Sequence, residues 1–522
     1  MNLENYKFVI VGGGTAGWLS ALFLKTSFPQ AVVTVVESSE IGILGAGEGT
    51  VPDFTNFLKA IGISISDIIY HAQGTFKNGI KFTNWNGDGQ HYFHGFGDIE
   101  GRNNRSNLIN DIQTFTEEFD LEELNTLAES KNFNKIDLSS LLSCEDKVKF
   151  SQTDQRKIYK DPMMHFNCEG SFALHFDAQL LAKYLKKVAI SRGIQLIDAK
   201  VISVVEDSSY KISDICLDSG VILKCDFVID CSGFSRLFIG NHYKETWKSY
   251  SDFLPVNRAI PFLIDRTENK IPPYTEAIAM KYGWMWKIPV GDRYGCGYVF
   301  DGKLITDEQA KQEIEEFVGY QITSPKTFSF DPGTFLNTWK HNVLAVGLAA
   351  NFIEPLEATS IWVTTVSLGN FIKYFEGYLS NNLHSVELYN TKIQQFNEDI
   401  AGFIYFHYLT ERNDTEFWKK FHSKTPEQYK NIFDGFVDGT LHKSKFALYS
   451  YARVGAGTHK VGLPPIYKTP FIEKKYKYIR DVRGITEDHY NNVVNERKHF
   501  RKNIVEQCVT HEFMLNYIYK IY

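Results

Sequence analysis

The chain has 522 residues, of which 43% are hydrophobic and 23% are charged, a composition typical of a folded globular protein rather than a disordered one. Its formal net charge is −6, so it lacks the basic excess that neutralises nucleic-acid phosphates, and we expect no nucleic-acid partner. Seven cysteines, none of them in a CxxC pair, predict neither a disulfide framework nor a zinc site.

No apolar run reaches the length of a membrane span, and we therefore expect no membrane partner. A strand pattern begins by Phe8, which leaves no room for a signal peptide. These features predict a cytoplasmic protein.

The first predicted element is a buried strand over residues 7–11, because its side chains are mostly apolar or β-branched. A G-x-G-x-x-G loop follows over residues 12–17 and leads into a segment with helical character. In such a loop Gly12 permits a tight turn and Gly14 lets the backbone approach a pyrophosphate. Gly17 lets the helix pack closely on the strand, so the pattern predicts a nucleotide-binding turn.

The helix that begins near Thr15 and Ala16 is expected to direct its N-terminus at the phosphates. A second predicted strand, over residues 32–36, ends at Glu37, about 20 residues after the loop, where a carboxylate can accept hydrogen bonds from ribose hydroxyls. The order strand, turn, helix, strand and acid predicts an adenine dinucleotide site. The alternative is a glycine turn with a purely structural role.

Two later segments, 226–234 and 342–350, favour FAD over NAD as the dinucleotide. Both read as apolar strands that end in small-residue turns and return to the first sheet after long excursions. Such a discontinuous dinucleotide domain resembles the flavoprotein monooxygenases, whereas an NAD dehydrogenase would show contiguous strand–helix repeats. The backbone N–H groups of Gly347 and Leu348 would then face the flavin. Taken alone, each segment could also be a buried strand of no special role.

Residues 283–289 read Gly-Trp-Met-Trp-Lys-Ile-Pro, which places Trp284 and Trp286 on one face of a predicted strand. On its own, this spacing indicates core packing. The string W-x-W-x-I-P is, however, a hallmark of the flavin-dependent halogenases, which include the tryptophan halogenases, and the chain resembles that family from about Phe8 to about Trp418. The other matching segments are 45–52, 76–77, 82–85, 175–178, 230–233, 297–299, 352–360 and 412–418.

The resemblance implies an α/β fold, in which an FAD-binding Rossmann-like module of the flavoprotein monooxygenase type carries an inserted β-sheet and a C-terminal helical substrate cap. We expect a discontinuous FAD module over residues 1–110, 170–250 and 325–375. The inserted sheet with the W-x-W-x-I-P motif would span residues 250–325. A mainly helical cap and tail would span residues 376–522, and we expect the chain to form a homo-oligomer.

The resemblance also implies the reactants. FAD would act as FADH2 together with O2 and a halide ion, which reduced flavin and oxygen oxidise to hypohalous acid. The sequence offers no nucleotide site other than the one that FAD uses, so we expect a separate flavin reductase to supply FADH2.

Roles for single residues follow from the same resemblance. Lys77 matches the lysine that directs hypohalous acid to the substrate, with Lys81 as a nearby alternative. Glu357 matches the catalytic glutamate, which can stabilise a cationic arene and remove its proton, with Glu354 as the lower-ranked rival. In isolation, Lys77 would more often be a surface lysine, and Glu357 a surface or salt-bridged residue.

Two further matching segments concern the cofactor and the halide. Gly47 and Glu48 are assigned to cofactor binding. Thr359 and Ser360 are assigned to halide binding through backbone N–H groups, although a helix cap is the ordinary alternative. Ser360 replaces a glycine of the tryptophan-specific pattern, and Ala358 replaces a serine, so chloride, bromide and iodide all stay open.

Trp284 and Trp286 would keep the substrate away from the flavin and so prevent direct hydroxylation. The substrate is expected to be a small electron-rich arene such as a phenol or an indole. Free tryptophan is not expected, because residues 448–457 lack the tryptophan pair of those enzymes. The alternatives are an FAD-dependent aromatic monooxygenase that hydroxylates its substrate, and a flavin-binding protein without turnover.

Overall fold

The computed structural model describes residues 3–41, 47–97, 137–153, 161–268, 270–323, 326–382, 384–422, 426–437, 446, 448–458, 481 and 486–522. Gly45 and Ala46 of the family-like segment 45–52, together with residues 98–136 and 154–160, lie outside the described residues. The chain divides into two compact units. The first comprises Met1–Gly74, Leu174–Phe262 and Pro325–Ile400, and the second comprises Thr75–Ala173, Leu263–Ser324 and Ala401–Tyr522.

The first unit combines strands and helices, and elements that cross a unit boundary are given with the unit that holds most of their residues. Its strands are Lys7–Val11, Val32–Glu37, Glu48–Gly49, Ala173–Phe176, Gln195–Asp198, Val201–Glu206, Ile212–Leu217, Ile222–Lys224, Phe227–Asp230, Trp247–Ser249, Arg258–Asp265, Phe328–Ser329, Gly333–Phe335, Trp339–Lys340, Val343–Ala345 and Asn351–Phe352. Its α-helices are Thr15–Ser27, Asp53–Ala60, Ile65–His71, Ala178–Ser191, Thr359–Leu379 and His384–His407, with short helices at Gly233–Ser235, Leu237–His242 and Gly347–Ala349.

The main sheet of the first unit is six-stranded. Its order is Gln195–Asp198, Val32–Glu37, Lys7–Val11, Phe227–Asp230, Val343–Ala345 and Trp339–Lys340. All neighbours are parallel except the last pair. Buried parallel strands favour continuous apolar runs. The strands predicted to return to the first sheet do so, and the predicted α/β fold is confirmed.

Aromatic packing fixes the helix Thr359–Leu379 on this sheet. The ring of Phe375 lies 5.6 Å from each of the rings of Phe8, Phe28 and Phe227, measured between centroids. All four side chains are buried. Pairs at this separation add to the free energy gained from burial, so they hold the C-terminal part of the helix on the sheet.

The second unit contains its own sheet and most of the C-terminal helices. Its strands are Thr75–Lys77, Gly79–Thr83, His91–Gly95, Lys147–Gln152, Phe166–Cys168, Thr275–Ala279, Gly283–Val290, Arg293–Phe300 and Cys508–Thr510. Its α-helices are Leu138–Cys144, Asp307–Val318, Glu416–Lys419, Glu427–Val437, Leu448–Thr458, Glu487–Gln507 and His511–Ile521, with short helices at Pro162–His165 and Lys420–His422.

Five strands of this unit pair side by side in the order Arg293–Phe300, Gly283–Val290, Thr275–Ala279, Gly79–Thr83 and His91–Gly95. The pairing is antiparallel except between Thr275–Ala279 and Gly79–Thr83. Residues 75–97, which the predicted boundaries group with the FAD module, lie in the second unit here. The three-part division into module, inserted sheet and cap stays a prediction.

The helix Asp307–Val318 lies within residues 250–325, for which the sequence predicts a sheet. A capping box starts it, because the Thr306 hydroxyl accepts from the backbone N–H of Gln309 and the Gln309 side chain accepts in return. Gly319 ends it in the left-handed conformation, with φ of 82°. None of the helices in the described ranges is long and apolar enough to cross a membrane.

The family-like segment 412–418 has a structural role in the second unit. Arg412 binds the carboxylate of Asp414 through Nε at 2.8 Å and Nη2 at 3.1 Å, and its Nη1 donates to the Asn84 carbonyl at 3.2 Å. The indole N–H of Trp418 donates to the carbonyl of Met280 at 2.9 Å. These bonds tie the segment to two strand ends of the sheet.

We expect Gly297→Ala to destabilise the second unit. Gly297 pairs with Trp286, and a Cβ at position 297 would overlap the indole ring of Trp286. Such overpacking costs about 1–3 kcal/mol. Urea unfolding of wild type, Gly297→Ala, Trp286→Ala and the double variant measures this cost with and without the indole ring. The cost of Gly297→Ala should shrink strongly when Trp286 is truncated, and additive costs would contradict the assignment.

Candidate active site

The glycine loop of the first unit has the geometry of a dinucleotide cradle. Gly12 has φ of 118°, and a Cβ on it would overlap the carbonyl of Cys231, while a Cβ on Gly17 would overlap the Gly12 carbonyl. A Cβ on Gly14 would meet no protein atom within 4 Å. Gly14 precedes the helix Thr15–Ser27 and offers no side-chain cap, so N–H groups of the first turn remain for a ligand.

A second glycine turn lies against this loop. Gly347 has φ of 67°, and a Cβ built on it would lie 2.8 Å from the Cβ of Ala16. Leu348 follows in the short helix Gly347–Ala349. The two turns predicted to contact FAD are therefore neighbours, and only a residue without a side chain allows their close approach. The residues present fit the FAD that the sequence predicts.

The turn after the strand Phe227–Asp230 is held by its last carboxylate. Asp230 is buried and accepts hydrogen bonds from the hydroxyl of Ser232 at 2.6 Å and from the backbone N–H of Phe238 at 2.9 Å. These bonds compensate for burying the carboxylate and shape the small-residue turn. The short helix Gly233–Ser235 within this turn packs beside the short helix Gly347–Ala349.

Glu37 lies at the end of the second strand, as the motif predicts. Its carboxylate lies so close to Gly13 that a Cβ there would overlap it, and it forms an ion pair with Lys186 of the helix Ala178–Ser191. Sequence reasoning missed Lys186, because no local signal links it to a residue so distant in the chain. The proposed hydrogen bond from a ribose hydroxyl to Glu37 stays a prediction.

Glu48 carries a perturbed carboxyl group. The strand Glu48–Gly49 follows Gly47, whose φ is 156°, and pairs antiparallel with the strand Ala173–Phe176. Burial disfavours the charged form and raises the pKa of Glu48 to about 7, and the negative charge of Asp177 adds to the effect. Burial therefore favours the neutral carboxylic acid at this position.

The predicted halide-binding residues begin a long helix. Thr359 and Ser360 are the first two residues of Thr359–Leu379, and Ala358 before them adopts a left-handed conformation with φ of 54° and ψ of 39°. No side chain caps this helix, so capping by Thr359 or Ser360 is not their role. The uncapped N–H groups and the positive end of the helix dipole suit an anion.

Both candidate carboxylates lie in the loop before this helix. Glu354 and Glu357 are each buried, so Glu357 is not a surface side chain, and a salt-bridged role stays the alternative to catalysis. A buried carboxylate is rare unless it is compensated or functional. Their burial does not rank one above the other.

The two candidate lysines of the second unit differ sharply. Lys77 is 0% exposed at the end of the strand Thr75–Lys77, and its Nζ lies 5.4 Å from the centre of the Phe96 ring. Lys81 lies partly exposed, 3.3 Å from the carboxylate of Glu276. Lys81 therefore forms a partly exposed ion pair, whereas the amine of Lys77 is removed from water.

The two tryptophans lie on the strand Gly283–Val290, with ring centroids 6.2 Å apart and ring planes inclined at 60°. Trp284 is buried, and its indole N–H has no hydrogen-bond partner among the described residues. The hydroxyl of Thr75 donates to the carbonyl of Pro289 at 2.8 Å, which joins the lysine strand to the tryptophan strand. Lys77 and this indole pair thus belong to one hydrogen-bonded framework.

The predicted site residues fall into two groups. The first unit holds those assigned to the cofactor, the halide and the carboxylate, namely Gly12, Gly14, Thr15, Ala16, Gly17, Glu37, Gly47, Glu48, Gly347, Leu348, Glu357, Thr359 and Ser360. The second unit holds Lys77, Trp284 and Trp286. Their individual roles stay predictions.

Comparison with known proteins gives a consistent result. The sequence model of the tryptophan halogenase family matches residues 7–470. Tryptophan 6-halogenase SttH from Streptomyces toxytricini is 29% identical over 509 residues, which cover 92% of this chain and 96% of that protein. The 7-chloro-L-tryptophan 6-halogenase KtzR from Kutzneria sp. (strain 744) is 31% identical over 422 residues, which cover 79% and 81%.

Solved structures agree with the sequence comparison. BrvH, a flavin-dependent halogenase from Brevundimonas sp. BAL3, superposes with a TM-score of 0.79 and 26% sequence identity. The alignment covers 98% of this chain and 99% of that one.

We expect Gly14→Ala to weaken FAD binding at least tenfold while the apoprotein stays as stable as wild type. The added methyl group meets no protein atom, but it stands where the backbone must approach the pyrophosphate. Gly369→Ala is the matched control, because its Cβ also meets nothing within 4 Å and it lies in the helix Thr359–Leu379. Flavin fluorescence titration measures the FAD affinity of both variants, and thermal unfolding measures their stability. Unchanged FAD affinity in Gly14→Ala would refute the assignment of this loop to FAD binding.

We expect Glu48→Gln to stabilise the apoprotein at pH 8 and to do so much less at pH 5. The folded-state pKa of about 7 lies above the ordinary value of 4.5, so the stability linked to this proton is present below pH 4.5 and lost as pH rises through 7. The gain at pH 8 is on the order of 1–3 kcal/mol.

Thermal unfolding at the two pH values tests this expectation. Glu40→Gln is the control, because Glu40 is an exposed partner of Lys200 and its loss should change stability by less than about 1 kcal/mol at either pH. An equal effect of Glu48→Gln at pH 5 and pH 8 would show that its carboxyl is not perturbed.

Proposed function

Because this chain belongs to the tryptophan halogenase family of FADH2-dependent enzymes, we propose that it uses FADH2, O2 and a halide to halogenate a small electron-rich arene. The observation that supports this most directly is the complete burial of Lys77 beside the Phe96 ring. An amine without access to water is suited to hold a reactive halogen species that would otherwise be lost to solvent.

The first unit supports the oxidation of the halide. When bound, reduced FAD supplies the electrons with which O2, a halide ion and a proton give hypohalous acid, water and oxidised FAD. The loop at Gly12–Gly17 and the turn at Gly347 would hold the dinucleotide. The uncapped N-terminus at Thr359 would hold the halide with backbone N–H groups and the helix dipole.

The choice of halide follows from the chemistry of this N-terminus. Backbone N–H donors at a helix end bind anions of different size, and neither Ala358 nor Ser360 brings a second charge. Bromide and iodide are oxidised more readily than chloride and so demand less of the site. We therefore propose that bromide or iodide is accepted as well as chloride.

The second unit supports the transfer of the halogen. As an ammonium, Lys77 would donate a hydrogen bond to the oxygen of hypohalous acid and polarise it. As a neutral amine, it would take the halogen on nitrogen while water leaves, and then pass the halogen to the arene carbon. In either form the arene gains the halogen and loses a proton, and the oxygen of hypohalous acid leaves as water.

A carboxylate completes the substitution. Glu357 would stabilise the positive charge that develops on the ring and accept the proton from the halogenated carbon. Glu354 is equally buried and is the second candidate for this base. Exchanging each of them for glutamine distinguishes the two.

The tryptophan strand would prevent a competing reaction. Trp284 and Trp286 form an apolar wall on one face of the strand Gly283–Val290, and we propose that it keeps the arene from the flavin. This separation directs oxygen chemistry to the halide. Hydroxylation of the arene, the alternative considered for this sequence, is not favoured by the comparisons.

The substrate is proposed to be a phenol or an indole other than free tryptophan. The helix Leu448–Thr458 lacks tryptophan, and it packs against the strand His91–Gly95 so closely that a Cβ on Gly457 would overlap the ring of Tyr92. Tyr451 of the same helix packs 4.9 Å from the ring of Phe403. The names of the family relatives state that they halogenate tryptophan or 7-chloro-L-tryptophan, so tryptophan belongs in the test panel.

The reduced cofactor is proposed to come from a separate flavin reductase that delivers FADH2.

We expect Lys77→Ala to lower halogenated product at least 100-fold, and Lys81→Ala to stay within about threefold of wild type. Lys77 is the buried amine, whereas Lys81 forms a partly exposed ion pair with Glu276. The assay supplies FAD, a flavin reductase, NADH, one halide at a time, a scavenger that removes free hypohalous acid from solution, and a panel of phenols, indoles and tryptophan, with mass-spectrometric detection.

FAD affinity is measured in the same proteins and should be equal in all three. Hydroxylated product that forms without halide would refute the proposal, as would halogenation that survives in Lys77→Ala. Loss of product in Lys81→Ala alone would show that Lys81, and not Lys77, is the transferring lysine.

A further inference from the structure

The C-terminal segment is an integral part of the second unit. The strand Cys508–Thr510 pairs with Lys147–Gln152, and the hydroxyl of Thr510 caps the helix His511–Ile521 by accepting from the N–H of Phe513. The apolar face of this helix is buried through Met514, Leu515 and Ile518. His511, the first residue of the helix, is therefore held at a defined position.

His511 is buried and makes two hydrogen bonds to backbone groups. Its Nε2 lies 2.9 Å from the backbone nitrogen of Phe76, and its Nδ1 lies 2.9 Å from the carbonyl oxygen of Ile271. An amide N–H can only donate and a carbonyl can only accept, so Nδ1 carries the proton and Nε2 accepts. Only one tautomer of the neutral imidazole satisfies both partners.

Phe76 directly precedes Lys77, and the other neighbours of Lys77 are fixed as well. The hydroxyl of Thr75 donates to the carbonyl of Pro289 at 2.8 Å, and the N–H of Asn78 donates to the carbonyl of Pro273 at 2.7 Å. The residues on both sides of Lys77 are thus hydrogen-bonded to other segments of the second unit. Of these three hydrogen bonds, the one from the N–H of Phe76 is accepted by a side chain, that of His511. A substitution of His511 therefore changes this bond without changing any residue of the strand Thr75–Lys77.

We propose that His511 is a positioning residue for Lys77, which fixes the backbone at Phe76 and thereby the path of the lysine side chain. This inference rests on the proposed function of Lys77. A buried N–H without an acceptor is costly, so loss of the imidazole acceptor would let the strand shift towards another partner. A displacement of about 1 Å at a reacting group can lower a rate about 100-fold.

His511 lies outside the part of the chain that matches the family model, because that match ends at residue 470. A residue outside the matched range would therefore set the geometry of the lysine on which halogen transfer depends. The segment 508–521 would then be required for efficient transfer and not for flavin binding.

Two substitutions distinguish the effect of the hydrogen bond to Phe76 from the effect of having any polar side chain at position 511. In His511→Gln the side-chain carbonyl reaches the position of Nε2 and can accept from the N–H of Phe76. In His511→Asn the shorter amide retains a donor for Ile271 but offers no acceptor to Phe76. Leu515→Ala loosens the same helix by removing buried apolar contacts without touching either bond.

The measurements are kcat and KM for halogenation, FAD affinity, and hydrogen–deuterium exchange resolved at the amide of Phe76. We expect kcat of His511→Asn to fall 10- to 100-fold with KM nearly unchanged, and His511→Gln to recover to within about fivefold of wild type. Exchange at Phe76 should accelerate in His511→Asn and return towards wild type in His511→Gln. Leu515→Ala should lower the melting temperature and leave kcat within about threefold.

Equal kcat in His511→Asn and wild type would overturn the inference, and so would equal losses in His511→Asn and Leu515→Ala. Unaltered exchange at Phe76 in a folded His511→Asn would overturn it too, whether or not the enzyme turns over. Absence of halogenation by wild type across the panel would instead refute the proposed function, and the exchange data would still report on the contact.

Discussion

Burial of a lysine side chain constrains everything around it, because removing an amine from water costs free energy that its surroundings must offset. Lys77 is fully buried, with the Phe96 ring near its Nζ. The backbone beside it is tied to Pro289 of the tryptophan strand and to His511 of the C-terminal helix. The sheet, the tryptophan motif and the C-terminal segment of the second unit therefore converge on the placement of one amine.

The first unit carries the glycine turns and helix starts that are proposed to bind FAD and halide. A side chain at Gly347 would collide with Ala16 and one at Gly12 with the carbonyl of Cys231, and both helix starts at Thr15 and Thr359 lack a capping side chain. Backbone N–H groups at such ends favour phosphate and halide. The proposed function accordingly places oxidation of the halide in the first unit and transfer of the halogen at the lysine of the second.

Local patterns could be predicted from the sequence, and contacts between distant segments could not. The strand Lys7–Val11 and the loop after it follow from apolar runs and glycine spacing, and the sheet contains them as predicted. The helix Asp307–Val318 was missed, although Thr306, Gln309 and Gly319 are capping signals that could have revealed it. The ion pair of Glu37 with Lys186 and the bond from Phe76 to His511 join residues with no common motif, so only the fold brings them together.

The proposal separates halide oxidation from halogen transfer. The most direct test of this division is to measure the amount of hypohalous acid that the enzyme releases into solution. Lys77→Ala is supplied with FADH2, O2 and bromide, and a small scavenger in solution traps any hypobromous acid, with Thr359→Pro as the comparison. We expect that Lys77→Ala still releases trapped hypobromous acid while arene bromination stops, and that Thr359→Pro, which removes a backbone donor, loses both. Loss of trapped hypobromous acid in Lys77→Ala, in a protein that binds FAD normally, would contradict this division.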